Sequence, residues 1–143
     1  MLFDTIKKED KDLVFIYTTC ATRDEARALG FSALNEKLAV CTDYWPVESI
    51  YPWNGVIEDI EQYMVILTTQ KSLSEKLFKF IMSLHQYNIP MIAEAAVKIK
   101  NPAYALWAQN IIADMTTEYI SMEEKKKRDE YEAEGNFHPG RLK

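Results

Sequence analysis

The side chains able to do metal or thiol chemistry are few: two histidines, His85 and His138, and two cysteines, Cys20 and Cys41, in 143 residues. A copper or zinc centre needs several nitrogen and sulfur donors converging on one point, and these four match no sequence-local metal motif. Cys41 lies among apolar, strand-like neighbours, the usual setting of a buried structural thiol. Cys20 follows an apolar run in a Thr-rich turn, a position open to exposure, with metal or redox chemistry as the lesser reading. His85 sits at the end of a predicted helix, where the dipole favours an imidazolium and capping is a sufficient role; a metal or pocket role is the alternative. His138 stands in a polar tail with no partner pattern. There is no Ser-His-Asp or Cys-His signature, no HExxH and no carboxylate pair spaced for acid and base work, so an enzyme is not expected. Four glycines supply neither GxGxxG nor GxxxxGK, which removes the common phosphate cradles.

A second concentration of chemistry is aromatic. Tyr44, Trp45, Tyr51 and Trp53 fall on one strand-like stretch, too many for a two-stranded ribbon to leave in water, because such a ribbon is marginal alone. They predict an intersubunit surface or the wall of a ligand pocket, and the two coincide where a cleft forms between subunits.

The elements that must position these groups follow from periodicity. Leu13 to Tyr17 is a short unbroken apolar run, read as a central strand covered on both faces. Thr22 and Glu25 form a capping box, and Ala26, Leu29, Ala33 and Leu34 recur at helical spacing, predicting a helix over 23–37. Residues 39–51 and 56–69 read as two strands joined at Asn54-Gly55, a tight-turn signal because both residues tolerate positive φ. Pro46 must lie at a sheet edge or a bulge. Ser72 and Glu75 suggest a second capping box and a helix over 73–86; residues 91–99 return to strand character. The order β, α, β, β, α, β predicts an α+β, ferredoxin-like fold with a long hairpin between its second and third strands. Asn101-Pro102 then opens a last helix. Its apolar residues from Tyr104 to Met122 step by three and four, and its second half is charged. One extended helix to about Glu134, C-capped at Gly135, is expected to pack on its own protein as far as Met122 and to project into solvent beyond it.

The balance of 17 Lys and Arg against 22 Asp and Glu gives a net charge of −5, which disfavours a nucleic-acid partner. The N-terminus has no apolar core of a signal peptide, no segment approaches the ~20 apolar residues of a membrane span, and two sparse cysteines suggest free thiols. The expectation is a cytoplasmic protein with no membrane partner. One compact domain suits this length.

In order and spacing, the strings VFIYTTCATRDEARALG, LNEKLAVCTDYWPVESIYPWNGVIED, MVILTT, LHQYNIPMIAEAAV and YALWAQNII resemble the CutA family of divalent-cation tolerance proteins. The resemblance covers about residues 13–112, leaving 1–12 as a polar lead-in and 113–143 as a C-terminal helix extension with a frayed tail. It implies a homotrimer built through the long hairpin and a role in tolerance of, or response to, divalent metals such as copper. It also implies a ligand pocket at Tyr51, Trp53, Glu58, His85 and Tyr87, and His85 as a metal ligand beside Cys20. This chain departs from the family at informative points. Asn54 stands where a Glu is common, Thr68 replaces a lysine, and Gln86 replaces a proline. Thr18 and Leu84 occupy positions of two of the three ligands proposed in some members, so only His85 remains. The reading is a divergent, non-enzymatic homotrimer that binds a metal ion or small ligand at intersubunit clefts. The alternatives are a trimeric signalling adaptor resembling nitrogen-regulatory proteins, or a scaffold recruiting a partner through its C-terminal helix.

Overall fold

The structure, a computed structural model, describes residues 11–135; the expectations for His138 and the tail beyond Gly135 lie outside them, as does most of the polar lead-in. The elements are β1 (Leu13–Cys20), α1 (Arg23–Asn35), β2 (Cys41–Trp53), β3 (Val56–Gln70), α2 (Ser74–Leu84), β4 (Ile92–Ala96), α3 (Pro102–Ala113) and α4 (Met122–Ala133). The antiparallel sheet has the order β2-β3-β1-β4, the ferredoxin-like arrangement.

Alternation along the strands divides the sheet into two faces. Val14, Ile16, Val65 and Leu67 point to the helices and form the main core with Ala26, Leu29 and Ala33 of α1 and Leu77 and Ile81 of α2. On the opposite face, α3 covers one end: Leu13, Val40 and Ala108 are buried there, with Cys41, Tyr104 and Ile111 packed around them. The rest of that face has no helix over it, so Phe15, Tyr17 and Thr19 are only half-buried. β1 is therefore fully covered on one face rather than on both, although it is central, as its sequence suggests.

The hairpin closes in two residues, Trp53 pairing with Val56 across Asn54 and Gly55 at φ 49° and 78°. This is the double left-handed turn whose twist matches that of the strands. Pro46 is accommodated without a bulge because β2 is an edge strand. Thr22 caps α1 by accepting the Glu25 N–H, while Glu25 takes the N–H of Ala21.

Two helix boundaries differ from expectation. The Ser72–Glu75 box does not form: Gln70 Nε2 donates to the Ser72 hydroxyl at 2.6 Å, residues 71–73 make a 3₁₀ turn, and α2 begins at Ser74 with no side-chain cap. The C-terminal helix is not continuous either. The Asp114 carboxylate accepts from the N–H and hydroxyl of both Thr116 and Thr117, a local network that competes with helical hydrogen bonding. α4 restarts at a complete capping box, Ser121 with Glu124. Met115, Tyr119 and Met122 therefore do not extend the α3 stripe. Met115 and Met122 are exposed, and the linker folds back toward the end of α1. Gly135, at φ 91°, follows the α4 C-cap as expected.

Candidate functional site

The long hairpin extends past the helices. On its helix-free face Tyr51 pairs with Glu58 and Trp53 with Val56, and alternation places Gln62 on that face too. The loop after α2 approaches from the side, and the result is a cleft of about 540 Å³ lined by Tyr51, Trp53, Glu58, Gln62 and Tyr87 among others. Four of the five residues expected to form a pocket thus meet in one place. Gln62 is an addition to that set, although its position four residues from Glu58 in an alternating strand is a signal for it. It is buried, and its Oε1 accepts the Tyr87 hydroxyl at 2.9 Å. Burial, then the neighbouring Tyr51, Glu25 and Cys20, push the Tyr87 phenol above its ordinary range, so it stays protonated and donates this bond.

His85, the fifth, stands behind the cleft and props it. Its ring lies 5.0 Å from that of Tyr87, centroid to centroid, and its Nδ1 accepts the Tyr87 N–H at 3.1 Å. An amide can only donate, so Nδ1 must present its lone pair and the neutral ring carries its proton on Nε2. That nitrogen lies 2.9 Å from the Thr19 carbonyl oxygen and 3.2 Å from Thr18 Oγ1. The imidazole ties the end of α2 to the end of β1. The helix end itself is closed by the His85 backbone N–H on the Ile81 carbonyl, so the side chain does not cap as expected.

The two metal-ligand candidates, Cys20 and His85, border a second, smaller cleft of about 210 Å³ that also includes Glu25. Cys20 is buried, at 4% exposure, rather than exposed. Burial and the adjacent Glu25 push its thiol up to about 11, which suppresses the thiolate needed for metal ligation or attack. Both His85 nitrogens already have partners. These residues do not fit a preorganised copper centre, and among the described residues no group of three His, Cys, Asp or Glu side chains is placed to hold a metal ion. Cys41 is half-buried, its Sγ 3.7 Å from an Asp43 carboxylate oxygen; burial, and then Asp43, raise its pKa too.

Comparisons with known proteins converge on this architecture. Residues 14–111 match the family model described as CutA1 divalent ion tolerance protein. The chain is 31% identical over 101 residues to the divalent-cation tolerance protein CutA of Thermococcus kodakarensis, covering 71% of this chain and 97% of that one. It is 29% identical over 98 residues to the chloroplastic protein CutA 1 of Oryza sativa, covering 68% and 55%. It spans about half the length of that relative and of the Arabidopsis thaliana and Mus musculus proteins. Among solved structures, CutA from Synechococcus elongatus superimposes with a TM-score of 0.69 at 26% identity, covering 71% of this chain and 91% of that one. CutA1 from Pyrococcus horikoshii gives 0.66 at 28%, covering 68% and 96%.

Proposed function

The chain belongs to the CutA1 divalent ion tolerance family, and from that premise we propose that it is a non-enzymatic homotrimer that binds a small ligand or divalent cation at clefts completed by a neighbouring subunit. The observation that carries the reading is the hairpin arm. Ile50, Trp53, Val56 and Ile57 are exposed there, and the Tyr51–Trp53–Glu58–Tyr87 cleft opens on the same arm. Trp53 and Val56 share the cleft's face of the arm, and Ile50 and Ile57 alternate to the other. A subunit packed on the cleft face would bury the first pair and wall in the cleft, while another contact would cover the second pair. Glu58 is the carboxylate in that cleft suited to a hard cation, with oxygen ligands of the ligand or neighbour completing the shell. Because His85 and Cys20 offer no free donor, copper(II) is expected to bind weakly, at ~10 μM or above, about −7 kcal/mol. The adaptor alternative loses support from the two-residue turn, which leaves no long loop at the hairpin tip. The single-helix scaffold loses it from the break at Asp114.

No helix among the described residues is long and apolar enough to cross a membrane, and both cysteines are free. A cytoplasmic location, where thiols stay reduced, is part of the same proposal. Light scattering followed by titration with copper(II), zinc(II) and ATP tests it. The expected mass is three times the 16.6 kDa of one chain, with weak cation binding further reduced by Glu58→Gln. A monomer would overturn the architecture; ATP binding far tighter than either metal would favour the adaptor.

A further inference from the structure

Helix α1 ends with the N–H of Leu38 on the Ala33 carbonyl at 2.9 Å and that of Lys37 on the Leu34 carbonyl at 3.0 Å. This closure places residue 37 in the left-handed region that favours glycine, yet the residue there is a lysine, at φ 61°. Its side chain reaches the chain beyond the family match. The Lys37 ammonium donates to the Thr117 carbonyl and stands 3.5 Å from the centroid of the Tyr119 ring. With Asp114 holding Thr116 and Thr117, the linker between α3 and α4 is fixed at two points.

So held, Tyr119 and Ile120 line a cleft of about 670 Å³ together with Phe31 and Leu34 of α1 and Trp107 and Ile111 of α3. The size falls in the range of small-molecule sites; the walls from α1, α3 and Tyr119–Ile120 are mainly apolar and aromatic, while Asn35, Ser121, Glu123, Glu124 and Lys127 supply polar groups around them. Phe31, Trp107 and Ile120 remain 46%, 46% and 47% exposed, so each has surface left to bury. The charges at the rim are engaged within the chain. Glu123 pairs with Lys127 at 3.0 Å and Glu124 takes the Ser121 N–H in the α4 capping box; Lys37, which does not line the cleft, is committed to the linker. Each charged group there already has a hydrogen-bond or ion-pair partner within the chain, so a charged ligand would have to displace one, whereas an apolar ligand would gain from burial.

We propose that the core and its C-terminal extension together form a second binding site, between α1, α3 and the 114–121 linker, for an uncharged, planar, largely apolar small molecule, with the Asn35 amide at the cleft wall for hydrogen bonding. The site is independent of the hairpin cleft, since half its walls lie outside residues 14–111.

The full chain titrated with Nile red, an uncharged planar dye whose emission shifts to the blue in apolar surroundings, tests the assignment. One dye per chain is expected to bind saturably. Ile120→Asp, on an irregular segment outside the main core, should weaken binding at least tenfold without changing the melting temperature. Lys37→Gly should weaken it severalfold by freeing the linker while leaving the α1 closure intact. Should Ile120→Asp alter the melt, the milder Ile120→Ser is read in the same way. The anionic 1-anilinonaphthalene-8-sulfonate and the cationic thioflavin T should both bind at least tenfold more weakly than Nile red. Unchanged Nile red affinity in the Ile120 and Lys37 variants would overturn the site, and a charged dye binding as tightly would overturn the ligand class.

Discussion

At the scale of single residues, His85 is a structural tie whose ring nitrogens are both engaged. His85→Ala would leave the Tyr87 amide and the Thr19 carbonyl without partners, and a part-buried orphan costs about 1–3 kcal/mol. The melting temperature is expected to drop with or without added copper; an unchanged melt with lost copper binding would return the residue to a ligand role. Cys20 gives a second prediction. With the folded pKa raised to about 11 from an ordinary 9, the native state holds its proton more tightly than the unfolded chain. Stability from this group is therefore full below pH 9 and falls as pH rises from 9 toward 11. Chemical denaturation at pH 8 and pH 10.5 should show a larger loss for the wild type than for Cys20→Ala, and identical losses would refute the shift. That Tyr51, Trp53 and Glu58 share one face was legible because they lie within eight positions on one hairpin, where alternation sets their faces. The partners of His85 were not, since Thr18 and Thr19 stand 67 and 66 positions away, and no local pattern encodes which strand end a helix end will meet.

At the scale of elements, local signals succeed or fail according to what competes for the same atoms. The Thr22–Glu25 and Ser72–Glu75 pairs have the same spacing. Only the first caps, because the Ser72 hydroxyl is taken by Gln70. A continuous helix through 104–122 rests on apolar spacing alone, while a capping box at Ser121–Glu124 and an Asp-x-Thr-Thr turn at 114–117 are both present in the sequence and outweigh it. Two glycines separate conformational from packing effects. Gly55 has nothing within 4 Å of the point where a Cβ would stand, but sits at φ 78°, so Gly55→Ala should cost about 1–2 kcal/mol through backbone strain alone. Gly30 has an ordinary helical backbone, where alanine would gain about 1 kcal/mol. A Cβ there would stand 2.9 Å from Thr42 Cγ2, and since overpacking costs about 1–3 kcal/mol, Gly30→Ala is expected to be neutral to destabilising. Thermal melts of the two variants check both signs, and a clearly stabilised Gly30→Ala would show that β2 yields readily to α1.

At the scale of the whole molecule, the topology β2-β3-β1-β4 was legible from element order and the right-handed crossover rule. The proposed assembly rests on the surface of the arm. Ile57 is 67% and Ile50 71% exposed, and monomers rarely leave apolar patches beyond a few hundred Å² in water. Ile57→Asp is therefore expected to shift the assembly toward monomer in light scattering and to lower the melting temperature. A variant that kept both the wild-type mass and melt would show that no assembly forms through the Ile50–Ile57 face of the arm.

The same arm carries its own protection against open-ended growth. In β2 the ladder to β3 is unbroken through Pro46 and Pro52, so both ring nitrogens must point outward, and by alternation Tyr44, Glu48 and Ile50 share that outward direction. Two donors are thereby missing from the free edge, and the window between the prolines includes the charged Glu48 on this edge. An incoming strand could register there over only a few residues before meeting a position that cannot bond to it. Edges blunted in this way resist fibre-like stacking, so the long apolar hairpin can serve a closed assembly without becoming a template for aggregation.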